Sequence, residues 1–168
     1  MRLPLASGCC ELAWSNMALH WVSDPLAALR ELQRVLAPEG LLMFSSLGPD
    51  SLKELRAAAG AARVHAFADM HDVGDMLVAA GFSAPVMDME LITLAYEAGD
   101  ALLDDLRASG QTSARADRAR GLAGKAFGAA VRAALPSRAT FEVVYGHAWK
   151  GAPANEAAKT VRVFKRLP

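Results

Sequence analysis

The residues with chemistry to offer gather between Glu11 and Trp21, where the run ELAWSNMALHW passes from apolar side chains into Ser15, Asn16, His20 and Trp21. Leu12 and Trp14 read as part of a short buried strand, and Asp24-Pro25 reads as the start of a helix. The polar group lies between the two. In an open α/β sheet, ligands bind outside the carboxyl ends of the strands, so a hydroxyl, a carboxamide and an imidazole placed there are candidates for a site. The same residues also suit a plainer role, with Trp14 and Trp21 as core anchors and Ser15 and Asn16 as turn formers, because position in a fold does not by itself assign function.

Charge is the second chemical feature. The chain balances 18 Lys and Arg against 18 Asp and Glu, which argues against general nucleic-acid binding. The distribution is uneven. From Val64 to Leu106 there is no Lys or Arg, but Asp69, Asp72, Asp75, Asp88, Glu90, Glu97, Asp100, Asp104 and Asp105 are all present. The sign then reverses: Arg107, Arg115, Arg118, Arg120, Lys125, Arg132 and Arg138 are opposed, before Glu142, only by Asp117. A basic face of this kind can steer an acidic partner or grip a phosphate or carboxylate, and a solvated helix-and-loop surface has the same composition.

Other chemistries have little to stand on. The one group worth weighing for metal is His65, Asp69, His71, Asp72 and Asp75, and acids favouring a helix N-terminus explain it more simply; no metal is expected. The sequence contains no G-x-G, no phosphate-loop signature, no G-x-S-x-G elbow and no H-E-x-x-H.

The 168 residues suit one domain with a sizeable core. At 53% hydrophobic and 21% charged residues the composition is globular and not disordered. No apolar run reaches the ~18 residues of a membrane span, and the N-terminal MRLPLASGCC has too short an apolar segment for a signal peptide. The two cysteines are adjacent and lack metal-ligand spacing, which points to a reducing compartment, the cytoplasm.

DPLAALRELQRVLAPEG carries the punctuation of a helix, with Asp24 as N-cap, Pro25 at the first position, and Pro38 and Gly40 at the end. LLMFSS, Leu41 to Ser46, fits a strand buried on both faces, so strand, helix and strand form a right-handed βαβ unit. Pro49-Asp50 opens a second helix, in which Ser51 and Glu54 have capping-box spacing. Asp69 to Ala80 reads as a third helix ended by Gly81. Pro85 interrupts the pattern before a strand from Met87 through ITLAY, one-sided at first and so nearer a sheet edge. Asp100 caps a helix ended by Gly110; a basic loop then leads into a helix from about 125 to 135. Phe141, Val143, Tyr145, His147 and Trp149 mark a period-2 strand, and the tail after Gly151 has one β-like patch, Val161 to Phe164.

From WSNMALHW through DPLAALRELQRVLAPEGLLMFSSLGPDSLKELR, and on through FADMHDVGDMLVAAGF, YEAGDALLDDLRASG and TFEVVYGHAWK, the sequence resembles the malonyl-acyl-carrier-protein methyltransferases of biotin synthesis. These are class I S-adenosylmethionine-dependent methyltransferases. A mitochondrial complex I assembly factor described as an arginine hydroxylase shares the same landmarks. The resemblance implies an α/β, Rossmann-like methyltransferase sheet, of which the chain supplies the C-terminal half: strands resembling 4-5-7-6 of the order 3-2-1-4-5-7-6, flanking helices and a helical insert over about 98–138. It divides the chain into a partial domain, 1–150, and a tail, 151–168. On this reading the chain starts after the family's first three strands, its glycine-rich loop and its ribose-binding acid, and LPLAS matches the end of the adenine-side loop. The strand at Leu12 to Ser15 then has an unpaired edge. It is expected to pair with a second copy as a homodimer, to be covered by the tail, or to aggregate.

The implied cofactor is S-adenosylmethionine and the implied partner is acyl carrier protein or another malonyl thioester, with no nucleic acid and no membrane. Ser15 and Asn16 match the strand end that faces the cofactor's methionine part, and His20 and Trp21 the substrate side. Tyr145 and His147 are further substrate-side groups, or simply packed on a half-buried face. Arg107, Arg115, Arg118 and Arg120 meet the acidic carrier or clamp the malonyl carboxylate. No catalytic residue is required, because a carboxylate with a pKa of roughly 4 is already a nucleophile at neutral pH and positioning supplies the gain. Two alternatives stay open at this point: a non-catalytic fragment or partner-binding module, and an arginine-modifying protein.

Overall fold

The helix start at Asp24 organises the first unit of the fold in a computed structural model, which describes residues 2–111 and 124–151. Strand β1 (Cys10–Ser15) leads through a short 3-10 turn, Leu19–Trp21, into helix α1 (Pro25–Val35). The Asp24 carboxylate accepts the Ala27 N–H at 2.9 Å, and Pro25 sits in the first turn, where its missing N–H costs nothing. The helix stops at Val35. Leu36 caps it with extended backbone, φ −66° and ψ 141°, and is at once the first residue of strand β2 (Leu36–Leu47). The pairing with β1 then jumps from Cys10–Leu36 to Leu12–Leu41, with Glu39 at φ +62°, so Pro38 and Gly40, expected to close the helix, lie in an irregular stretch of β2 just past its end. β1 and β2 are parallel, with Leu12 opposite Leu41 and Trp14 opposite Met43.

The next elements follow the sequence in outline and depart from it in detail. Helix α2 is short, Lys53–Ala59, and the expected capping box does not form: Leu52 stands at the N-cap with φ +57° and gives no side-chain cap. Ser51 and Glu54 are drawn across to strand β4 (Arg138–Lys150) instead. The buried Ser51 hydroxyl donates to the Glu142 carbonyl at 3.1 Å and accepts the Glu142 N–H at 3.0 Å. The Glu54 carboxylate accepts the Thr140 hydroxyl at 2.6 Å and its N–H at 3.0 Å. A tertiary partner has outcompeted the local cap.

Helix α3 (Met70–Ala79) starts as expected, with the Asp69 carboxylate accepting the His71 N–H at 2.8 Å, and Gly81 past its end takes the left-handed φ of +91°. Strand β3 (Phe82–Ala95) begins before Pro85, not after it. An irregularity in its pairing between Ser83 and Val86, with Ala84 at φ +49°, accommodates the proline on an edge strand. Helix α4 (Ala101–Ala108) lacks the expected side-chain cap, and Asp100 pairs with Arg132 of helix α5 (Lys125–Ala134) at 3.4 Å. The basic loop with Arg115, Arg118 and Arg120, and the patch from Val161 to Phe164, lie outside the described residues.

The sheet order is β1-β2-β4-β3, with β4 antiparallel to both neighbours. One face carries Leu42, Phe44, Ala148 and Phe82 against Leu29 of α1 and Val73 and Leu77 of α3. Gly146 belongs to this face, and a Cβ there would run into the Phe44 ring, so only glycine lets the two strands and the ring coexist. A second cluster, around Leu52, Leu102, Val131 and Leu135, forms where α2, α4 and α5 meet. Among the described residues the opposite sheet face is covered only at the start of β4, where Ala139 and Phe141 pack into that second cluster, and is open beyond. Trp14, Met43, His147 and Val86 stand in one row across the four strands, and Trp14 is 76% exposed, Leu12 55%. The reading of Leu12 and Trp14 as buried is thus corrected: β1 is an edge strand with its bulky side chains on the uncovered face. Among the described residues no helix is long and apolar enough to cross a membrane.

Candidate functional site

Ser15 and Asn16 close β1 where β2 also ends, and β2 brings two further hydroxyls, Ser45 and Ser46, both buried. The turn after β1 is held by Met17, at φ +50°, whose N–H reaches the Ser45 carbonyl and hydroxyl, each at 3.1 Å. Ser45 Oγ in turn donates to Asn16 Oδ1 at 2.6 Å. That bond fixes the carboxamide so that its NH2 group remains to donate to a ligand. Ser15 and Asn16 border a cleft of about 440 Å³ whose far wall is Ala28, Glu31 and Leu32 of α1 with Leu3. Glu31 is already engaged: Arg34 binds it at 2.6 Å and the Leu3 N–H at 2.7 Å, and Arg34 first, then Leu3, holds its carboxyl down at about 2. Arg34 also takes the Leu5 carbonyl and the Ser7 hydroxyl, so the segment leading into β1 is pinned along α1.

On the open face of the sheet, Asn16 also borders a second cleft, of about 420 Å³, with Tyr145, His147, Ser45 and Asp88. The structure thus brings Ser15, Asn16, Tyr145 and His147 to one end of the sheet, as far as the shared Asn16 reaches.

His20 and Trp21 lie to the other side. His20 is 8% exposed, its Nδ1 3.4 Å from Ser46 Oγ. Burial first, and then the nearby His65, pushes its pKa down to about 4, so the ring is neutral at neutral pH. His65 Nε2 lies 2.7 Å from the His20 carbonyl and, facing an acceptor, must carry the proton. His20, Trp21, His65 and Phe67 form one ring cluster with centroids 5.2 to 5.7 Å apart for the His20–Trp21, His20–Phe67, Trp21–His65 and His65–Phe67 pairs. Within it, His20 Nε2 and His65 Nδ1 are buried and have no hydrogen-bond partner among the described residues. His20 borders a cleft of about 330 Å³ with Ser46, Ser23 and His65.

Arg107 is elsewhere. It lines a narrower cleft of about 210 Å³ with Trp21, Phe67, Arg63 and the leucines of α2 and α4, and does not border either cleft that holds Asn16. The acidic and histidine group weighed for metal does not converge: Asp69 is taken by α3 and by the His71 ring at 2.8 Å, and His65 belongs to the ring cluster. Among the described residues no three metal-ligating side chains come together.

Sequence reasoning missed Ser45, Ser46, Phe67 and Arg63, and weighed His65 only as a metal ligand. The first two were within reach, because LLMFSS ends in hydroxyls at a strand end, the same signal that singled out Ser15 and Asn16. His65 and Phe67 were not, since nothing local in RVHAF says that it folds against the turn at Trp21.

S-adenosylmethionine, the cofactor that the resemblance implies, ends in a methionine zwitterion that needs donors and acceptors on a mostly apolar wall. The Ser15 hydroxyl, the free NH2 of Asn16 and the cleft beside Ala18, Leu19 and Val22 fit that end.

Comparison with known proteins bears on this arrangement. Residues 1–44 match a family model described as a methyltransferase domain. The chain is 51% identical over 160 residues to a malonyl-[acyl-carrier protein] O-methyltransferase of Methylovorus sp., covering 89% of this chain and 54% of that protein. It is 52% identical over 164 residues to that of Gallionella capsiferriformans, covering 90% and 56%. The chain therefore spans about half the length of the curated relatives it matches. Among solved structures, the YcgJ protein from Bacillus subtilis superposes with a TM-score of 0.59 at 17% identity, covering 90% of this chain and 68% of that one. A structure described as a putative methyltransferase from Bacillus halodurans gives 0.58 at 15%, with the same shares. The fold is the α/β, Rossmann-like fold of class I methyltransferases, and the strands expected to run 4-5-7-6 stand in that order as β1-β2-β4-β3.

Proposed function

We propose that this chain, with the class I methyltransferase fold and half its residues in common with malonyl-[acyl-carrier protein] O-methyltransferases, serves S-adenosylmethionine-dependent O-methylation of the free carboxylate of a malonyl thioester, a step of biotin synthesis. The observation that carries the reading is the identity of 51% sustained over 160 residues. The non-catalytic and arginine-modifying alternatives gain nothing from these relatives.

The bound cofactor supplies an electrophilic methyl group on a sulfonium. What the chain's own residues do is bind and orient. Asn16, with its Oδ1 taken by Ser45, would offer its NH2 to the cofactor's methionine end beside Ser15. The accepting carboxylate needs no base, since it is ionised at neutral pH. With the cofactor bound, transfer to an oxygen of that carboxylate would need only placement in line, and this placement is what the chain's residues would supply. A neutral His20, buried against Ser46, lets the substrate side accept an anion without trapping it in a strong ion pair. Tyr145 and His147 contribute from the open sheet face.

The same reading takes 98–138 as a helical insert on a partial domain, acyl carrier protein as the acidic partner, and association of two copies through the edge of β1. The direct test is incubation of the chain with S-adenosylmethionine and malonyl-carrier protein, followed by mass spectrometry of the product. A gain of one CH2 on the malonyl group is expected; calorimetry that shows no heat with millimolar S-adenosylmethionine, together with an unmodified thioester, removes the proposal for this polypeptide.

A further inference from the structure

Resting on that reading, we propose that the cleft between α2, α4 and residues 63–67 holds the pantetheine arm of the thioester substrate, with Arg63 and Arg107 taking the arm's phosphate. The cleft is walled by Leu52, Leu55, Phe67, Leu103 and Leu106, which suit a hydrocarbon body with geminal methyl groups and offer nothing to a small carboxylate. Its only charged lining groups among the described residues are the two arginines. Arg63 stacks its guanidinium over the Phe127 ring at 4.3 Å, a contact that occupies the flat face and leaves the N–H donors at its rim. It makes no ion pair among the described residues. Arg107 gives Nη1 to Asp104 at 2.8 Å, with both side chains more than half exposed, and its other nitrogens remain available. Two guanidinium forks at an apolar cleft are matched by a phosphate on an apolar stem.

Continuity with the candidate site sets the direction. Trp21 lines this cleft, and His65 lines both it and the cleft of His20 and Ser46. An arm lying here carries its thioester toward the ring cluster and its phosphate outward. The alternative use of Arg107, as clamp for the malonyl carboxylate itself, fits less well, because Arg107 borders neither cleft of Asn16.

Coenzyme A and carrier-bound substrate share the phosphopantetheine chemistry, and the experiment separates them. Trp21 fluorescence is followed on titration of the full chain with 4′-phosphopantetheine and with pantetheine, which lacks the phosphate. Phosphopantetheine is expected to bind roughly tenfold more tightly, the scale of one charge-assisted contact. Arg63→Gln and Arg107→Gln should each bring it to the level of pantetheine with the melting temperature unchanged, and Trp21→Phe should silence the signal. Equal binding of the two ligands, or phosphopantetheine binding that survives both substitutions, overturns the assignment. Arg63→Gln should also weaken malonyl-coenzyme A and malonyl-carrier protein alike; weakening confined to the carrier moves the arginines to a protein-docking surface and overturns the phosphate site. Phosphopantetheine binding without methylated product leaves the cleft assigned and removes the methyl-transfer reading, whereas methylated product with phosphate-indifferent binding does the reverse.

Discussion

Single side chains around the end of β1 have testable weights. Ser45 serves Asn16 and the Met17 N–H together, so Ser45→Ala leaves a carboxamide free to turn and a backbone donor with one partner fewer. The expected cost is about 1 kcal/mol of folding stability, read by urea denaturation, with a rise in the dissociation constant for S-adenosylmethionine and unchanged binding of pantetheine. Asn16→Ala should weaken the cofactor further and cost about 1 kcal/mol of stability as well, because it leaves the buried Ser45 hydroxyl without its acceptor. His20 sets a pH dependence. Its folded pKa is lowered to about 4 from 6.5, so between those values the unfolded chain binds a proton that the folded chain refuses. Stability is full above pH 6.5 and falls as the pH drops toward 4, by up to about 3 kcal/mol. His20→Gln should flatten that part of the profile in denaturation measured from pH 7 to pH 4; an unchanged slope would show that another group carries it.

The elements were legible wherever a residue's partner lies within a turn of it. Asp24 and Asp69 cap α1 and α3 as their sequence neighbours require, and LLMFSS, bounded by glycines, is a central strand. Reading failed where the partner lies far along the chain. Ser51 and Glu54 have the spacing of a local cap, yet both bond to β4, which is remote in sequence and adjacent in space. The same limit hid His65 and Phe67, whose site neighbours are His20 and Trp21. Pro85 misled for another reason: an edge strand with an irregular pairing step tolerates what a central strand does not. Ser51 is fully buried and bonded both ways to the Glu142 backbone, so Ser51→Ala should cost on the order of 1–3 kcal/mol by taking away the Glu142 N–H's partner, while the Glu142 carbonyl keeps the Gly48 N–H. Ser51→Thr is the control, since it keeps the hydroxyl. A loss near zero for Ser51→Ala would mean that α2 and β4 separate at little cost.

The molecule as a whole is asymmetric about its sheet. One face lies under α1 and α3, while the other presents Leu12, Trp14, Met43, Tyr145 and Val86 to solvent. Among the described residues, β1 pairs only with β2. Sequence periodicity located β4 but not the side on which its aromatics stand: Gly146 and Ala148 fill the helix-covered side, and Tyr145 and Trp149 the open one. An apolar face beside an unpaired strand edge favours self-association. Sedimentation velocity across a concentration series should show it, with Leu12→Lys or Trp14→Lys shifting the chain toward monomer; a monodisperse monomer at every concentration would show that the exposed edge is inert. Leu36 caps α1 and opens β2, but the strand jumps register just past it, with Glu39 at φ +62°. The wall of the cleft on α1, Glu31 and Leu32, and the wall at Asn16, held by Ser45, are therefore joined through a broken step in the pairing. A ligand pressing on one wall meets that irregular step, not a straight strand, before it reaches the other.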